Sequence, residues 1–382
     1  MHFLIYNFQT TYFTEALKYI FVLTKEDFIM TFKKFFNALI ETHFYLMHQS
    51  EFTVPFYNKK HGIFYTVPCF YFYQLYAKLL NILDKKRRFS MLQSAYISII
   101  SGASLWGLIA LFFKFLTACG FSPLQIVALR VLFAAVLMTA VIFKIDPKLL
   151  KIRWRDSWLF IGTGIFSLVF FNYCYFRSIE SSSISIAVLL LYTAPVFVML
   201  LSIFLFREKF TRCKMLALLS TFCGCTFITG IFSSKMTLTL EAFGFGLASG
   251  IGYALYSIFS KLALRRYNTL TITAYTFYFA AIAALPMAEP LQLFTLLADL
   301  RALIGAIAIA LICTVAPYLL YTRGLQDVDA GQASILATLE PLVAAAIGIF
   351  IFGESLTTAK ILGMILILSS IFILNTAKNN VK

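Results

Sequence analysis

Long apolar runs of nearly uniform length, parted by short polar breaks, set the pattern of this chain from Ala95 onward. The runs are Ala95–Phe115, Leu124–Phe143, Trp158–Phe176, Ile184–Phe206, Met215–Phe232, Ala242–Ser260, Leu270–Pro286, Ala302–Thr322, Gly331–Phe352 and Ile361–Leu374. Most come close to the roughly 20 residues with which a helix, rising about 1.5 Å per residue, crosses about 30 Å of hydrocarbon. A β-barrel would show short segments of alternating polarity instead. The breaks leave no room for a soluble domain between spans. The pattern therefore predicts an all-α integral membrane protein with ten transmembrane helices, and the first span can act as an uncleaved anchor because no cleavable signal-peptide pattern precedes it.

The runs also repeat. The stretch Ala333–Gly363 holds an apolar helix with one carboxylate, Glu340, directly before Pro341, then a polar break, Gly353-Glu354-Ser355, then a second apolar helix. With a constant offset of 146, Tyr175 falls on Tyr321, Arg177 on Arg323, Ala187 on Ala333, Leu190 on Leu336 and Pro195 on Pro341. Phe204 falls on Phe350, Phe206 on Phe352, Glu208 on Glu354, Thr211 on Thr357 and Lys214 on Lys360. Self-similarity at a fixed period marks a duplicated unit, here residues 91–236 and 237–376, with a tail over 377–382. Five spans per unit is an odd number, so the second unit must sit upside down relative to the first. Inverted repeats are a common construction of secondary transporters, with a substrate site near the midplane where the halves meet.

Composition and charge agree with the span count. The chain is 60% hydrophobic and 13% charged, with a mean hydropathy of +0.85, far from the soluble average of roughly 45–50% apolar and 25% charged. Its 32 Lys+Arg against 17 Asp+Glu fall between apolar runs, which points to topology and anionic headgroups, not to nucleic acid. The loops Lys144–Asp156, Arg207–Lys214 and Lys261–Tyr267 are basic, and the alternate loops are poor in cations or acidic. By the positive-inside rule both termini are then cytoplasmic. Arg323–Ala330, expected inside, goes against the rule with one cation and two acids. The matched breaks Arg207–Lys214, strongly basic, and Gly353–Lys360, balanced, differ as opposite faces would.

Residues 1–90 differ. They hold all four histidines and dense Phe and Tyr, but no clean run of spanning length. An amphipathic interfacial or regulatory segment is one reading. The favoured expectation is that this extension is not part of the functional protein. Met91 directly precedes the first proper span, and Lys85-Lys86-Arg87-Arg88 would be encoded by purine-rich codons, as a ribosome-binding site requires. Translation from Met91 would give 382 − 90 = 292 residues.

Little in the spans could do covalent chemistry. The seven cysteines are scattered, Cys223 and Cys225 lack CxxC spacing, and no histidine follows Met91, so no metal, redox motif or cofactor is expected. Glu340 is the one carboxylate well inside a span, and a charge there is costly enough to make it a functional candidate. It could carry a coupling proton or meet a substrate amine; a hydrogen-bonded glutamate stabilising the helix at Pro341 is the structural alternative. Arg130 could neutralise a substrate anion, snorkel outward or anchor an ion pair. Trp106, Asn172, Tyr192, Tyr253, Tyr256, Tyr318 and Tyr321 offer aromatic walls and polar handles for a small molecule, or pack against neighbouring spans. Pro195 and Pro341 each remove a backbone donor and mark helix hinges. Gly102, Gly162, Gly164, Gly250, Gly252, Ala344, Ala345 and Gly348 suit close helix approach. Glu208 and Glu354 read as matched end signals at the start of the helices that follow them.

These features resemble the EamA family of the drug/metabolite transporter superfamily. The resemblance is carried by Leu339-Glu340-Pro341-Leu342 with Gly353-Glu354-Ser355-Leu356 and Gly363, by Ala194-Pro195 with Glu208-Lys209, and by Ser104-Leu105-Trp106-Gly107 with Ala128-Leu129-Arg130. It covers about Leu92 to Asn375. It implies two inverted five-helix repeats around a cavity lined by the first, third, fourth, sixth, eighth and ninth spans, and a secondary transporter in a bacterial inner membrane, proton-coupled or exchanging, that moves a small polar metabolite such as an amino acid. A cofactor-like, nucleotide-like or quaternary-amine metabolite is the alternative cargo, and a membrane enzyme or assembly factor the alternative class. The first half departs from the family pattern at Ala194, where an acid is expected, and at Arg207, where Gly is common.

Overall fold

In a computed structural model, the backbone is described over residues 53–58, 63–68, 91–230 and 238–379, and the side chains over 91–230 and 238–374. The chain divides into two units, Met1–Lys86 and Arg87–Lys382. Within the first, β1 (Thr53–Asn58) pairs antiparallel with β2 (Ile63–Pro68), Val54 opposite Val67 and Phe56 opposite Tyr65. Both strands are rich in the β-branched and aromatic residues that suit a pleated ribbon. This hairpin lies outside the all-α expectation; the histidines of the extension lie outside the described residues.

The second unit is helical throughout its described residues. Its principal helices are α1 (Met91–Ala118), α2 (Pro123–Ile145), α3 (Trp154–Glu180), α4 (Ile184–Phe206), α5 (Arg212–Ile228), α6 (Leu240–Ala263), α7 (Thr269–Ala288), α8 (Leu300–Asp327), α9 (Ala330–Phe350) and α10 (Thr358–Asn379). Eight of them are long and apolar enough to cross a membrane. The remaining two fall short of the ten expected: α5 has 17 residues, and the described apolar stretch of α10 is Thr358–Leu374. Side-chain caps set the starts. Ser122 and Gln125 form a capping box at α2, and Ser183, Thr211 and Thr239 accept from the third residue beyond them at α4, α5 and α6, each satisfying an orphan donor of the first turn.

The 146-residue period reappears as backbone geometry. α3 winds as a π-helix over Gly162–Val169 and α8 over Leu311–Val315, and the two stretches end at matched valines. α4 breaks at Tyr192-Thr193 and α9 at Thr338. Each break lies just ahead of the expected hinge proline, Pro195 or Pro341, which supplies no N–H and crowds the carbonyl of the preceding turn. Thr193 Oγ1 donates to the Leu190 carbonyl at 2.6 Å and Thr338 Oγ1 to the Ile335 carbonyl at 2.5 Å, so part of the freed backbone is satisfied internally. Further on, Arg207 (φ 55°) and Gly353 (φ 69°) are both left-handed. The next amides return to matched carbonyls, Glu208 N–H to Ser202 at 3.3 Å and Glu354 N–H to Gly348 at 2.9 Å. This is the left-handed helix stop that glycine favours, and Arg207 adopts it with a Cβ where its copy Gly353 has none.

Packing is that of a membrane bundle. α5 and α10 meet backbone to backbone: a Cβ on Gly224 would lie 2.9 Å from the Gly363 carbonyl, and one on Gly363 2.7 Å from that of Gly224, the close approach small residues permit between spans. Ile126, Leu129, Met138, Phe277, Ile309 and Ile335 are wholly buried, whereas Phe204, Phe350 and Leu240 lie at least 80% exposed. Large apolar side chains turned outward in such number call for lipid around them.

Candidate functional site

At the centre of the helical unit, the aromatic residues of α1, α6 and α8 converge. Trp106 stands edge-on to Tyr318, with ring centroids 5.2 Å apart, and lies 5.4 Å from Tyr321 and 6.4 Å from Tyr253. Tyr256 meets Tyr318 at 4.8 Å and Phe171 meets Tyr253 at 5.5 Å, both near perpendicular. Edge-to-face packing of this kind is the favoured aromatic geometry. With Ser167, Phe171 and Ser257 these rings line a cavity that admits about one water molecule. A metabolite enters only if rings move.

Hydroxyls on the cavity wall are mostly committed. Tyr256 shares a 2.6 Å hydrogen bond with Thr322, and Ser257 one of 2.7 Å with Tyr321. Tyr253 donates to Glu340 Oε2 at 3.1 Å. Glu340 falls in the first turn of Leu339–Phe350, the half-helix after the Thr338 break, where unpaired N–H groups favour a negative charge. Among the described residues no ion pair within 4.0 Å joins Glu340 to Arg130. Glu340 is therefore held by one tyrosine and a helix end.

Five of the expected residues, Trp106, Tyr253, Tyr256, Tyr318 and Tyr321, thus line one cavity, and Glu340 joins it through Tyr253. The others lie elsewhere. Tyr192 packs with Cys225 and Ile367 at the α4 break, and Asn172 bonds back to the Leu168 carbonyl of its own helix at 2.7 Å. Arg130 is buried, 6% exposed, with no partner for its Nε, but it does not line the cavity. Ser167, Phe171 and Ser257 were missed. Their signal was helical spacing: Ser257 stands four residues after Tyr253, and Phe171 four after Ser167, each pair on one face.

A second polar assembly sits where the α4–α5 turn meets the start of α9. Glu208 was expected to serve the helix after it. Its carboxylate instead accepts from the amides of Ala330 (2.7 Å) and Gly331 (3.2 Å) in α9. Lys214 lies 3.9 Å from Glu208 and 2.9 Å from Asp329, and Lys261 Nζ donates to the carbonyls of Leu325 and Val328 at 2.6 Å each.

A helical bundle with eight membrane-spanning helices, broken helices at its centre and an aromatic cavity there beside a lone carboxylate defines a multi-pass membrane transporter, not an enzyme. The chain belongs to the EamA-like transporter family, whose profile matches twice, over residues 93–230 and 241–376. An uncharacterized transporter of Archaeoglobus fulgidus is 29% identical over 281 residues, spanning 72% of this chain and 94% of that one. The uncharacterized transporter YwfM of Bacillus subtilis is 25% identical, over 68% of this chain and 87% of its own length. The uncharacterized inner membrane transporter YicL of Salmonella typhimurium is 23% identical over 73% and 94% respectively. A crystal structure with 17% identity superposes with a TM-score of 0.64, covering 76% of this chain and 99% of that one, and so shares the fold.

Proposed function

We propose that this protein is a secondary transporter of ten spans in two inverted five-helix repeats, carrying a small polar metabolite across the bacterial inner membrane by alternating access. The leading cargo is an amino acid or related compound bearing an amine, and both termini are cytoplasmic. The observation that carries the reading is Glu340, hydrogen-bonded by Tyr253 at 3.1 Å at the start of a half-helix beside the aromatic cavity. Discontinuous helices whose half-helix ends face a central site are a recurrent feature of inverted-repeat carriers. The duplicated profile, the matched π stretches and the matched breaks support the repeat; the basic loops Lys144–Asp156, Arg207–Lys214 and Lys261–Tyr267 support the orientation.

Glu340 then works by exchange. A buried carboxylate is costly to leave bare, so it binds either a proton or the cationic end of the cargo, and release of one admits the other. The rings supply the apolar remainder of the site and cation–π contact. A quaternary amine is the second reading, favoured because six aromatic residues and, among the described residues, no cation line the cavity.

Counterflow in proteoliposomes, with a panel of labelled amino acids and quaternary amines, tests this. Gradient-driven flux of at least one amine is expected, and Glu340→Gln should cut it at least tenfold while leaving expression and folding near normal. Unchanged flux in that variant would remove Glu340 from the mechanism. Saturable flux of quaternary amines alone would select the second reading.

A further inference from the structure

The two halves place the same latch residues at both ends of the molecule, and only one set is engaged. At the α4–α5 turn, Glu208 caps Ala330 and Gly331, Lys214 reaches Asp329, and the side chains of Glu208 and Lys214 are 7% and 5% exposed. Their copies at the α9–α10 turn are Glu354 and Lys360. These bond to each other at 2.8 Å, but the Glu354 side chain is 53% exposed and, among the described residues, no hydrogen bond or ion pair joins it to the first half. The site matching Ala330 and Gly331 is Ile184 and Ser185, the first residues of α4, and among the described residues no carboxylate from α9–α10 bonds to it.

A third pair follows the same rule. The first helix of each half aligns one residue further apart, Ala95 with Ala242. A Cβ on Gly324 would meet the Ala95 carbonyl just as Ser178, its copy, bonds to Ala242. Lys114 is then the copy of Lys261. Lys261 holds the end of α8 by two carbonyls, whereas Lys114 is exposed and lies 4.0 Å over the ring of Phe352.

We infer that Glu208, Lys214 and Lys261 form a latch that seals the α4–α5 end of the transporter, and that Glu354, Lys360 and Lys114 form the same latch at the opposite end when the first opens. In that second state Glu354 caps Ile184 and Ser185, and Lys114 bonds to the carbonyls of Ile179 and Ser182 at the end of α3. The inference rests on the inverted-repeat reading above. Because one latch ties the end of α4 to the start of α9 and the other would tie the end of α9 to the start of α4, closing one favours opening the other, which is a coupling between two sites through one two-state element.

Residue-resolved amide hydrogen exchange on the full chain in lipid nanodiscs tests it, since exchange reports the population of the opened state. Glu208→Gln should quicken exchange at Ala330 and Gly331 and, at the far end, slow it about tenfold at Ile184 and Ser185. Glu354→Gln, an exposed change that leaves folding intact, should slow exchange at Ala330 and Gly331 about tenfold, the effect of one lost charge-assisted hydrogen bond in the rival state. A local structural role would move only the end that is mutated. Unaltered exchange at Ala330 and Gly331 in Glu354→Gln overturns the latch, whether or not the Glu208 variant folds. Flux separates this from the functional reading: a cross-end response without transport of any tested amine sinks the cargo assignment alone, and transport without a cross-end response sinks the latch alone.

Discussion

Tyr253→Phe isolates the one hydrogen bond that ties Glu340 to the cavity. The substitution keeps the ring, so the edge contacts to Phe171 at 5.5 Å and Trp106 at 6.4 Å survive, and only the O–H that reaches Glu340 Oε2 at 3.1 Å is lost. If the carboxylate is charged when cargo binds, that bond contributes about 1.5–3 kcal/mol, and loss of affinity should run from roughly tenfold to a hundredfold. If Glu340 is neutral at that moment, the bond contributes only about 0.5–1.5 kcal/mol, or roughly two- to tenfold. Equilibrium binding by scintillation proximity, with the cargo found by counterflow, reads the difference. The same substitution in a Glu340→Gln background completes a double-mutant cycle, and the two changes should couple by more than about 0.5 kcal/mol because the side chains touch. Strict additivity would show that the tyrosine hydroxyl acts on something other than Glu340, and the site as described would fail.

Two predictions concern the repeat itself. Gly353→Ala should lower stability by about 1–2 kcal/mol, the cost of a Cβ in the left-handed region, and Arg207→Gly should raise it by up to about 1 kcal/mol because it relieves the same geometry; thermal unfolding in detergent followed by tryptophan fluorescence checks both, and a destabilised Arg207→Gly would refute the matched stops. Gly224→Val should cost about 1–3 kcal/mol by overpacking against α10, since its Cβ would fall 2.7 Å from Ile367 Cγ1. Gly244→Val, where a Cβ meets nothing within 4 Å, is the control and should leave the melting midpoint unchanged.

The bundle was readable because its causes are local. A span declares itself by about twenty apolar residues. What periodicity could not show was how the helices are interrupted. The π stretches at Gly162–Val169 and Leu311–Val315 lie within apolar runs that hold only scattered Gly, Ser and Thr, as the other spans do, so no composition signal announces them. α5 begins at Arg212, three residues ahead of the expected Met215, because Thr211 caps it by accepting from the Lys214 N–H at 3.2 Å. The strands Thr53–Asn58 and Ile63–Pro68 are rich in β-branched and aromatic residues, a signal lost among the many other rings of that segment.

The cavity was half legible for a related reason. Tyr253 and Tyr256 are spaced to share one face of α6 and Tyr318 and Tyr321 one face of α8, and Glu340 stands out as a carboxylate within an apolar run; both signals are written in the sequence. Asn172 does not follow, because a step of one residue turns a helix by about 100°, and Phe171 takes the cavity place that Asn172 was given. Arg130 and Tyr192 have the right chemistry on helices whose rotation only packing decides. The latch lay further out of reach still. Glu208 and Glu354 are the same residue at the same place in two copies, so sequence assigns them one role. Their burial, 7% against 53%, separates the two, and that difference is a property of the conformation adopted. A duplicated sequence therefore specifies two equivalent seals, and the fold can satisfy only one at a time if the helix ends each requires are to move together.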